Sequence, residues 1–263
     1  MRKVIGWLTQ KRSSQGSVPR PRRRIDLGVD APTYPIYAIG DVHGCLELLK
    51  EAEAKIARDI EETRRAGVVV LLGDYVDRGP ASSGVLDYLI KPSEYGLRRL
   101  PLCGNHDDVF RLFLDDPDTH GEWLSLGGEQ TLASYGLDVH DQNFRQRSRN
   151  GTLKQLLAEV VPDAHRQFLT DLPISMKVGQ LLFVHAGIRP GVALKDQEEA
   201  DLMWIRDPFL AKGPNLPSTF VIHGHTPQTE PSLGPNRIGI DTGAFYSGKL
   251  TILRIAGEET RFI

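Results

Sequence analysis

The sequence predicts an α/β fold built from short apolar strands and amphipathic helices. From Tyr34 onward, runs of β-branched and other apolar residues alternate with segments whose apolar side chains recur at helical spacing. Several predicted strands also run into Gly, Asp, Asn or His, which is typical of the carboxyl edge of an open α/β sheet. These observations predict one folded domain over residues 33–263.

The first predicted elements are a strand at 36–39 and a helix that ends at Gly67. Leu46, Leu49 and Ile56 share one face of this helix, because they recur at intervals of three and seven residues. Continuous apolar runs predict further strands that are buried on both faces. These strands cover residues 68–72, 97–103, 181–184 and 220–222.

A helical insertion and a closing hairpin complete the predicted domain. Residues 107–170 carry helical patterns with polar interruptions such as 115–118, which favours an insertion between strands over a separate domain. Residues 237–240 and 249–255 are predicted to be two strands joined by a turn at 243–248, where Gly stands at both ends.

The first 32 residues differ in composition from the rest of the chain. Residues 1–24 carry eight basic and no acidic side chains, whereas the net charge of the whole chain is −2. The serines, glycine, prolines and arginines of this segment cannot bury enough apolar surface to offset the entropy of ordering. We expect residues 1–32 to form a flexible basic arm. The arm is either simply solvated or contacts an acidic partner, nucleic acid or anionic lipid.

Several classes of protein are disfavoured by features that the sequence lacks. No apolar run approaches the roughly 20 residues that cross a bilayer, and the apolar stretch at 4–8 is too short for a signal peptide. The two cysteines, Cys45 and Cys103, do not make a disulfide framework. We therefore expect a cytoplasmic protein without a membrane span, in which both thiols are reduced.

Five clusters of polar side chains follow five predicted strands. Because ligands bind outside the carboxyl ends of strands in α/β sheets, these clusters are expected to converge in space. Glycines within them let the backbone turn sharply and approach a ligand closely. The clusters occupy residues 40–44, 73–79, 104–107, 185–187 and 223–226.

The residue types in these clusters indicate a metal site. Five of the eight histidines of the chain fall within them, together with several Asp residues and one Asn. Mixed imidazole, carboxylate and amide ligands suit manganese, iron or zinc, whereas the lack of clustered thiolates argues against a structural zinc site.

Three of the clusters carry longer motifs. GDVHG stands at 40–44, GDYVDRG at 73–79 and GNHD at 104–107. These motifs resemble the GDxHG, GDxVDRG and GNHE blocks of the phosphoprotein phosphatase family of metallophosphoesterases, and the resemblance extends over residues 34–255. Residues 240–244 and 250–251 are similar to the closing strands of the bacterial and phage serine/threonine phosphatase branch. The resemblance implies a metallophosphoesterase-type β-sandwich flanked by helices, with the helical insertion around 107–170, and a catalytic role for residues 33–263.

The resemblance also implies two divalent metal ions, with manganese as the first choice and iron or zinc as alternatives. One ion would be held by Asp41, His43 and Asp74. Asp74 would bridge to the second ion, where two cations sharing a carboxylate lower the pKa of a bridging water. The other ligands of the second ion would be Asn105, His185 and His223.

Four further residues match catalytic positions of the family. Arg78 and Arg206 are expected to bind phosphate oxygens through their planar guanidinium groups. His106 would be the general acid that protonates the leaving oxygen, with Asp77 orienting its imidazole. His225 is expected to orient the loop around His223.

Taken together, the resemblance implies a phosphomonoesterase that acts by direct attack of a metal-bridging hydroxide. We expect a serine/threonine protein phosphatase, with dual specificity toward tyrosine as a variant, acting on phosphorylated proteins. A cysteine nucleophile is excluded, because neither Cys45 nor Cys103 stands in a Cys-x5-Arg motif.

Three other functions share part of the pattern. A dinucleoside tetraphosphate hydrolase of the diadenosine tetraphosphatase type resembles the chain in the same core blocks and is the main alternative. An inactive scaffold would show erosion of the ligands or of His106, and neither is eroded. A metallo-nuclease would not need the pair formed by Asp77 and Arg78. The sequence leaves the oligomeric state open.

Overall fold

Two β-sheets packed face to face form the centre of the structure, a computed structural model that describes residues 21–263. The strands are β1 (Arg24–Asp26), β2 (Ile36–Ile39), β3 (Val68–Leu71), β4 (Arg98–Pro101), β5 (Ser175–Val178), β6 (Leu181–Val184), β7 (Phe220–His223), β8 (Ser232–Gly234), β9 (Arg237–Gly239), β10 (Ile252–Ala256) and β11 (Glu259–Phe262). The α-helices are α1 (Leu46–Thr63), α2 (Ser82–Ile90), α3 (Asn105–Asp115), α4 (Gly128–Ser134), α5 (Gln142–Arg149), α6 (Leu153–Val160), α7 (Asp163–Asp171), α8 (Glu199–Trp204), α9 (Phe209–Lys212) and α10 (Ala244–Ser247).

Each of the two sheets contains a set of parallel strands. One has the order β11-β10-β2-β3-β4, and the other has the order β1-β5-β6-β7-β9-β8. Strands β2, β3 and β4 run parallel to one another, as do β6, β7 and β9. The carboxyl ends of each parallel set therefore lie at one edge of its sheet, which is where the polar clusters emerge.

Successive side chains along a strand point to opposite faces of the sheet, so they contribute to two different hydrophobic cores. Ile36 and Ala38 of β2 face the second sheet and pack in the interior of the sandwich. Tyr37 and Ile39 face the other way, where they join the core that the helices cover. Both faces of β2 are fully buried, and this explains why its sequence is continuously apolar.

These observations confirm the predicted α/β sandwich flanked by helices. The strands predicted at 36–39 and 181–184 have the predicted bounds, and the segment between β4 and β5 is helical as predicted. Helix α1 ends earlier than predicted, at Thr63, because Arg64 adopts a left-handed backbone with φ of 56°.

The predicted closing hairpin is wrong. Strand β9 pairs with β7 and β8, whereas β10 pairs with β2 and β11 in the other sheet. Ile238 and Leu253 both face the interior of the sandwich, so the apolar pattern is satisfied equally well by strands in opposite sheets. The segment between them crosses from one sheet to the other and carries α10.

The structure also places part of the predicted arm in the fold. Residues 1–20 lie outside the described residues. Residues 24–26 form β1, which pairs in parallel with β5. Arg22 donates hydrogen bonds to the carbonyls of Leu169 and Leu172 and forms an ion pair with Asp108 at 2.8 Å.

Over residues 21–263, no helix combines the length and the apolar character that crossing a bilayer requires.

Candidate active site

The polar clusters converge around the carboxylate of Asp74, which lies in the loop after β3. Asp74 Oδ2 lies 3.5 Å from His43 Nε2, 3.4 Å from His185 Nε2 and 4.0 Å from His106 Nε2. His43 and His185 lie in the loops after β2 and β6, His106 lies in the first turn of α3 after β4, and all three are buried. The site thus draws on both sheets of the sandwich.

The loops hold several site residues in a backbone conformation that is rare for L-residues. Five of the nine non-glycine residues with positive φ among residues 21–263 belong to the clusters. Such conformations cost about 1–3 kcal/mol each and persist where the surrounding structure imposes them. The five residues are His43 (φ 42°), Asp74 (52°), Asp77 (71°), Arg78 (69°) and His225 (65°).

Two glycines make room for the carboxylates of the site. A Cβ atom at Gly104 would collide with Asp74 Oδ1, and a Cβ atom at Gly224 would collide with Asp41 Oδ1. The loops after β4 and β7 can therefore approach these acids only because both positions lack a side chain.

The hydrogen bonds of two histidines leave lone pairs directed at Asp74. His43 Nδ1 donates to the carbonyl of Val76 and His185 Nδ1 donates to that of Leu72, both at 2.9 Å. The Nε2 atom of each neutral ring is then an acceptor that faces an acceptor carboxylate oxygen. Burial lowers the pKa of His43 to about 3 and also lowers that of His185, which favours the neutral rings.

His225 belongs to a second group of side chains that could hold a metal ion. Its ring lies with Asp74 and His185 in a cluster whose nitrogen and oxygen atoms are all within 4.8 Å of one another. His225 Nε2 is buried and has no hydrogen-bond partner within residues 21–263. Its backbone N–H donates to both carboxylate oxygens of Asp41, at 3.2 and 3.1 Å.

This geometry corrects the predicted role of His223. Its Nδ1 contacts the carbonyl of Gly224 at 3.0 Å, and its Nε2 lies 3.4 Å from the guanidinium of Arg237. The ring packs edge-on against Phe209, away from Asp74. His223 is the last residue of β7, so its side chain follows the strand alternation, whereas His225 lies beyond the strand.

Asp241 is a site residue that the sequence reasoning missed. It follows β9 and lies in the segment 240–244, which resembles the closing strands of the family. Burial, with the charges of Asp241 and Asp74, raises the pKa of Asp41 well above its ordinary value. Burial and Asp74 likewise raise the pKa of Asp241 to about 6. The signal that could have found it is an acid directly after an apolar strand.

The residues present fit divalent cations. Acceptor nitrogens of His43 and His185 lie close to the carboxylate of Asp74, and among residues 21–263 the buried Nε2 of His225 lacks a hydrogen-bond partner. The buried carboxylates also repel one another unless positive charge is present. Asn105 adds its Oδ1, 2.9 Å from His185 Nε2. The donors thus suit the two-metal site that the resemblance implies.

His106 and Asp77 form a buried pair beside this centre. His106 Nδ1 lies 2.6 Å from Asp77 Oδ2. Asp77 is held in turn by Trp123 Nε1 and Thr131 Oγ1, each donating at 2.8 Å from the helical insertion. Burial opposes protonation of His106, but the charges of Asp74 and Asp77 raise its pKa above the ordinary value.

Two arginines border the site. Arg78 Nη2 lies 3.0 Å from His106 Nε2. Arg206 donates to the carbonyl of His225 at 3.3 Å, and its side chain is exposed. Partial burial of the guanidinium and the charge of Arg78 both lower the pKa of Arg206.

Asp107 is a buried carboxylate that holds the backbone of two site loops. Its carboxylate accepts from the backbone N–H groups of Asp74, Tyr75 and Gly104, at 2.8 to 2.9 Å. It therefore holds the loop after β3 against the start of α3. Burial and the charge of Asp74 raise the pKa of Asp107 to about 7, whereas the three N–H contacts favour its ionised form.

The structure brings nine of the ten predicted site residues to one place. The exception is His223, whose position His225 takes. The roles assigned to these residues remain predictions. The residues brought together are Asp41, His43, Asp74, Asp77, Arg78, Asn105, His106, His185 and Arg206.

Sequence comparison matches most of the chain to one family. The model of the family described as calcineurin-like phosphoesterase covers residues 34–245. The chain is similar to the bis(5'-nucleosyl)-tetraphosphatase PrpE (asymmetrical) of Anoxybacillus flavithermus, at 28% identity over 84% of this chain and 91% of that protein. The protein of the same name from Oceanobacillus iheyensis is 26% identical over 84% of this chain and 88% of its own length.

Structure comparison gives a similar fold in two solved structures. A candidate diadenosine tetraphosphatase superposes with a TM-score of 0.60 and 19% identity, over 92% of this chain and 98% of that one. A cold-active protein tyrosine phosphatase superposes with a TM-score of 0.52 and 17% identity, over 92% of this chain and 80% of that one. At these identities the similarity shows the fold alone.

Proposed function

The chain belongs to the calcineurin-like phosphoesterase family, and on this premise we propose that it hydrolyses dinucleoside tetraphosphates asymmetrically. Splitting a chain of four phosphates unequally yields a nucleoside triphosphate and a nucleoside monophosphate. The bond that breaks is a phosphoanhydride P–O bond, and water supplies the new oxygen on phosphorus.

The observation that supports hydrolysis at phosphorus is the arrangement of three kinds of group around one point. Buried metal-ligand atoms surround Asp74, a His–Asp pair lies 4.0 Å from it, and two arginines border the opening. This is the set that hydrolysis of a phosphate ester or anhydride needs: a source of nucleophile, a proton donor and positive charge for the phosphate oxygens.

The choice of substrate rests on the curated relatives. They match 84% of this chain and nearly all of their own length, and their names specify asymmetrical bis(5'-nucleosyl)-tetraphosphatase. This favours the nucleotide hydrolase, the main alternative in the sequence analysis, over the protein phosphatase that was the first expectation. The similarity to a protein tyrosine phosphatase shows the fold alone and does not restore that order.

Two divalent cations would be held by this site. Asp41, His43 and Asp74 would hold one ion. Asp74 would also contact the second, together with Asn105, His185 and His225. When bound, such ions neutralise the surrounding carboxylates and lower the pKa of coordinated water toward about 7.

The arginines bind the substrate. Arg78 and Arg206 present donors that match the oxygens of a phosphate, and neutralising these oxygens stabilises both the bound state and the transition state. Because two separate guanidinium groups border the site, they can contact neighbouring phosphates of one polyphosphate chain.

His106 supplies a proton to the leaving oxygen. In the structure Nδ1 is held by Asp77 and Nε2 contacts Arg78. A phosphate oxygen placed between Arg78 and His106 would accept from both, which turns Nε2 into a donor. Asp77 stabilises the resulting imidazolium, and Trp123 and Thr131 keep Asp77 in position.

A substrate panel tests this function. Diadenosine tetraphosphate is compared with phosphoserine, phosphothreonine and phosphotyrosine peptides, each with Mn²⁺, and the products are separated by chromatography. We expect the highest kcat/KM for the dinucleotide, with ATP and AMP as products. Asp74→Asn protein, purified in parallel, controls for contaminating hydrolases. Formation of two ADP molecules, or faster turnover of a phosphopeptide, would overturn the proposal.

A further inference from the structure

Two adjacent aromatic side chains are exposed beside the site, on α10. The side chain of Phe245 is 38% exposed and that of Tyr246 is 59% exposed. Neither contributes a proton or a metal ligand to the chemistry described above. Large aromatic side chains exposed side by side at the rim of a site are candidates for contact with the substrate.

Phe245 lies directly against the phosphate-binding groups. The guanidinium carbon of Arg78 is 5.2 Å from the centre of the Phe245 ring, within the range of a cation–π contact. The ring of His43 meets Phe245 edge to face, with the ring centres 5.6 Å apart. A phosphate bound at Arg78 would therefore have an aromatic surface next to it.

Tyr246 extends this surface outward, and the backbone at Gly243 leaves room for its ring. The rings of Phe245 and Tyr246 are perpendicular, with centres 4.9 Å apart. The Tyr246 ring lies across Gly243, where a Cβ atom would collide with its phenol end. Gly243 also has a left-handed φ of 66°, so both its backbone and its missing side chain are required for this placement.

We propose that Phe245 and Tyr246 form a stacking surface for a nucleobase of the dinucleoside polyphosphate. This inference rests on the proposed function and adds the residues that recognise the nucleoside. In the bound substrate, the base is joined through its ribose to the phosphate that Arg78 binds. The base must therefore lie at the rim of the site. Planar bases stack on exposed aromatic rings, whichever base is present, because each has a π-face.

The surface predicts how binding divides between the base and the phosphates. Stacking on an aromatic side chain contributes about 5- to 150-fold in affinity per base. The phosphate groups instead depend on Arg78, Arg206 and the metal ligands. Removing the outer ring should therefore weaken a ligand that carries bases and leave a ligand without bases unaffected.

Inhibition of p-nitrophenyl phosphate hydrolysis measures this division. The inhibitors are diadenosine tetraphosphate and its base-free counterpart, diribose tetraphosphate. They are tested on wild type, Tyr246→Ala and Tyr246→Phe. We expect Tyr246→Ala to raise the inhibition constant of diadenosine tetraphosphate about 5- to 150-fold. The constant for diribose tetraphosphate should stay unchanged, and Tyr246→Phe, which keeps the ring, should resemble wild type.

Three results would overturn the stacking surface. These are an unchanged constant for diadenosine tetraphosphate in Tyr246→Ala, an equal rise for both inhibitors, and a larger loss of affinity for a phosphotyrosine peptide than for the dinucleotide. Inhibition constants can be obtained from initial rates whether or not the dinucleotide is cleaved. If wild type binds diadenosine tetraphosphate but does not cleave it, the proposed function fails while the stacking surface is still judged by the variants.

Discussion

At the scale of single residues, His223 and His225 show how two side chains separated by one glycine acquire different roles. His223 still belongs to β7 and has a partner at each ring nitrogen, including the cationic Arg237. His225 lies beyond the strand, with a buried Nε2 that has no partner in the described part of the chain. The resemblance assigned the ligand role to His223, whereas the structure leaves the Nε2 atom of His225 available for a metal ion.

Metal content separates the two histidines. We expect His225→Ala to lower the amount of bound Mn²⁺ and to reduce hydrolysis, because it removes a proposed ligand of the second ion. His223→Ala is the matched control and should retain Mn²⁺, since its nitrogens face Gly224 and Arg237. Elemental analysis of dialysed protein checks both variants. Loss of metal from the His223 variant alone would return that histidine to the ligand set.

His106→Asn should slow reactions in proportion to how much the leaving group needs a proton. General acids contribute about 10²–10⁴-fold, and a serine alkoxide needs this help far more than p-nitrophenolate does. The variant should therefore lose more turnover on a phosphoserine peptide than on p-nitrophenyl phosphate, where chemistry limits both rates. Asp77→Asn should show the same ranking more mildly.

The measurement for His106 needs metal content alongside the rates, because His106 also lies close enough to His43 and Asp74 to share a cation. Equal losses on both substrates, accompanied by loss of Mn²⁺, would show that His106 is a ligand and not the proton donor.

Asp107 is expected to contribute to stability as well as to the shape of the site. Asp107→Asn replaces one acceptor oxygen by an NH₂ group that faces backbone donors. We expect the free energy of unfolding to fall by about 1–3 kcal/mol, the cost of leaving buried polar groups unsatisfied. Urea denaturation checks this, with the exposed Asp118→Asn as control. Equal stability of both variants would mean that the contacts of Asp107 are dispensable.

At the scale of elements, apolar continuity predicted β2, β3, β6 and β7 because these strands are buried on both faces. The same pattern could not say which sheet a strand joins, and this is why β9 and β10 were wrongly paired. Strand β1 has the sequence Arg24-Ile25-Asp26, with one apolar residue, and its pairing with β5 is set by the tertiary contacts of Arg22 to Arg24.

Arg22 ties the segment before β1 to α3 and to the end of α7. Its side chain is 7% exposed and pairs with Asp108 of α3, three residues after Asn105. Removing one partner of a buried ion pair costs up to about 3–5 kcal/mol, so Arg22→Ala should lower the free energy of unfolding toward that range. Arg23→Ala is the control, because Arg23 makes one exposed contact with a carbonyl.

This ion pair also predicts a pH dependence. Burial opposes ionisation of Asp108, but the charges of Arg22 and Arg111 lower its pKa. The stabilisation is therefore present above the ordinary carboxyl pKa of about 3.9 and is lost as the pH falls through the lower pKa of the folded state. The difference in unfolding free energy between wild type and Asp108→Asn should be largest near pH 7 and shrink below about pH 4. A difference independent of pH would exclude this pair as its source.

At the scale of the whole molecule, the sandwich explains why residues far apart in sequence meet. The parallel strands of both sheets direct their carboxyl ends to one region, and each loop leaving them carries site residues. That convergence was predictable from strand ends and motifs. Contacts that depend only on tertiary packing could not be predicted from the sequence. Examples are the hydrogen bonds that Trp123 and Thr131 donate to Asp77, and the position of the Asp241 carboxylate in the site.

Metal binding to wild type and Asp74→Asn protein tests most directly whether Asp74 joins both groups of ligands into one centre. After chelation and dialysis, metal-free wild type should be inactive. When Mn²⁺ is added back, wild type should bind two Mn²⁺ per chain and regain phosphohydrolase activity. Asp74→Asn should bind less Mn²⁺ at both positions and stay inactive, whereas Asp118→Asn should behave as wild type. Full activity of metal-free wild type, or two tightly bound Mn²⁺ in Asp74→Asn, would contradict a shared two-metal centre.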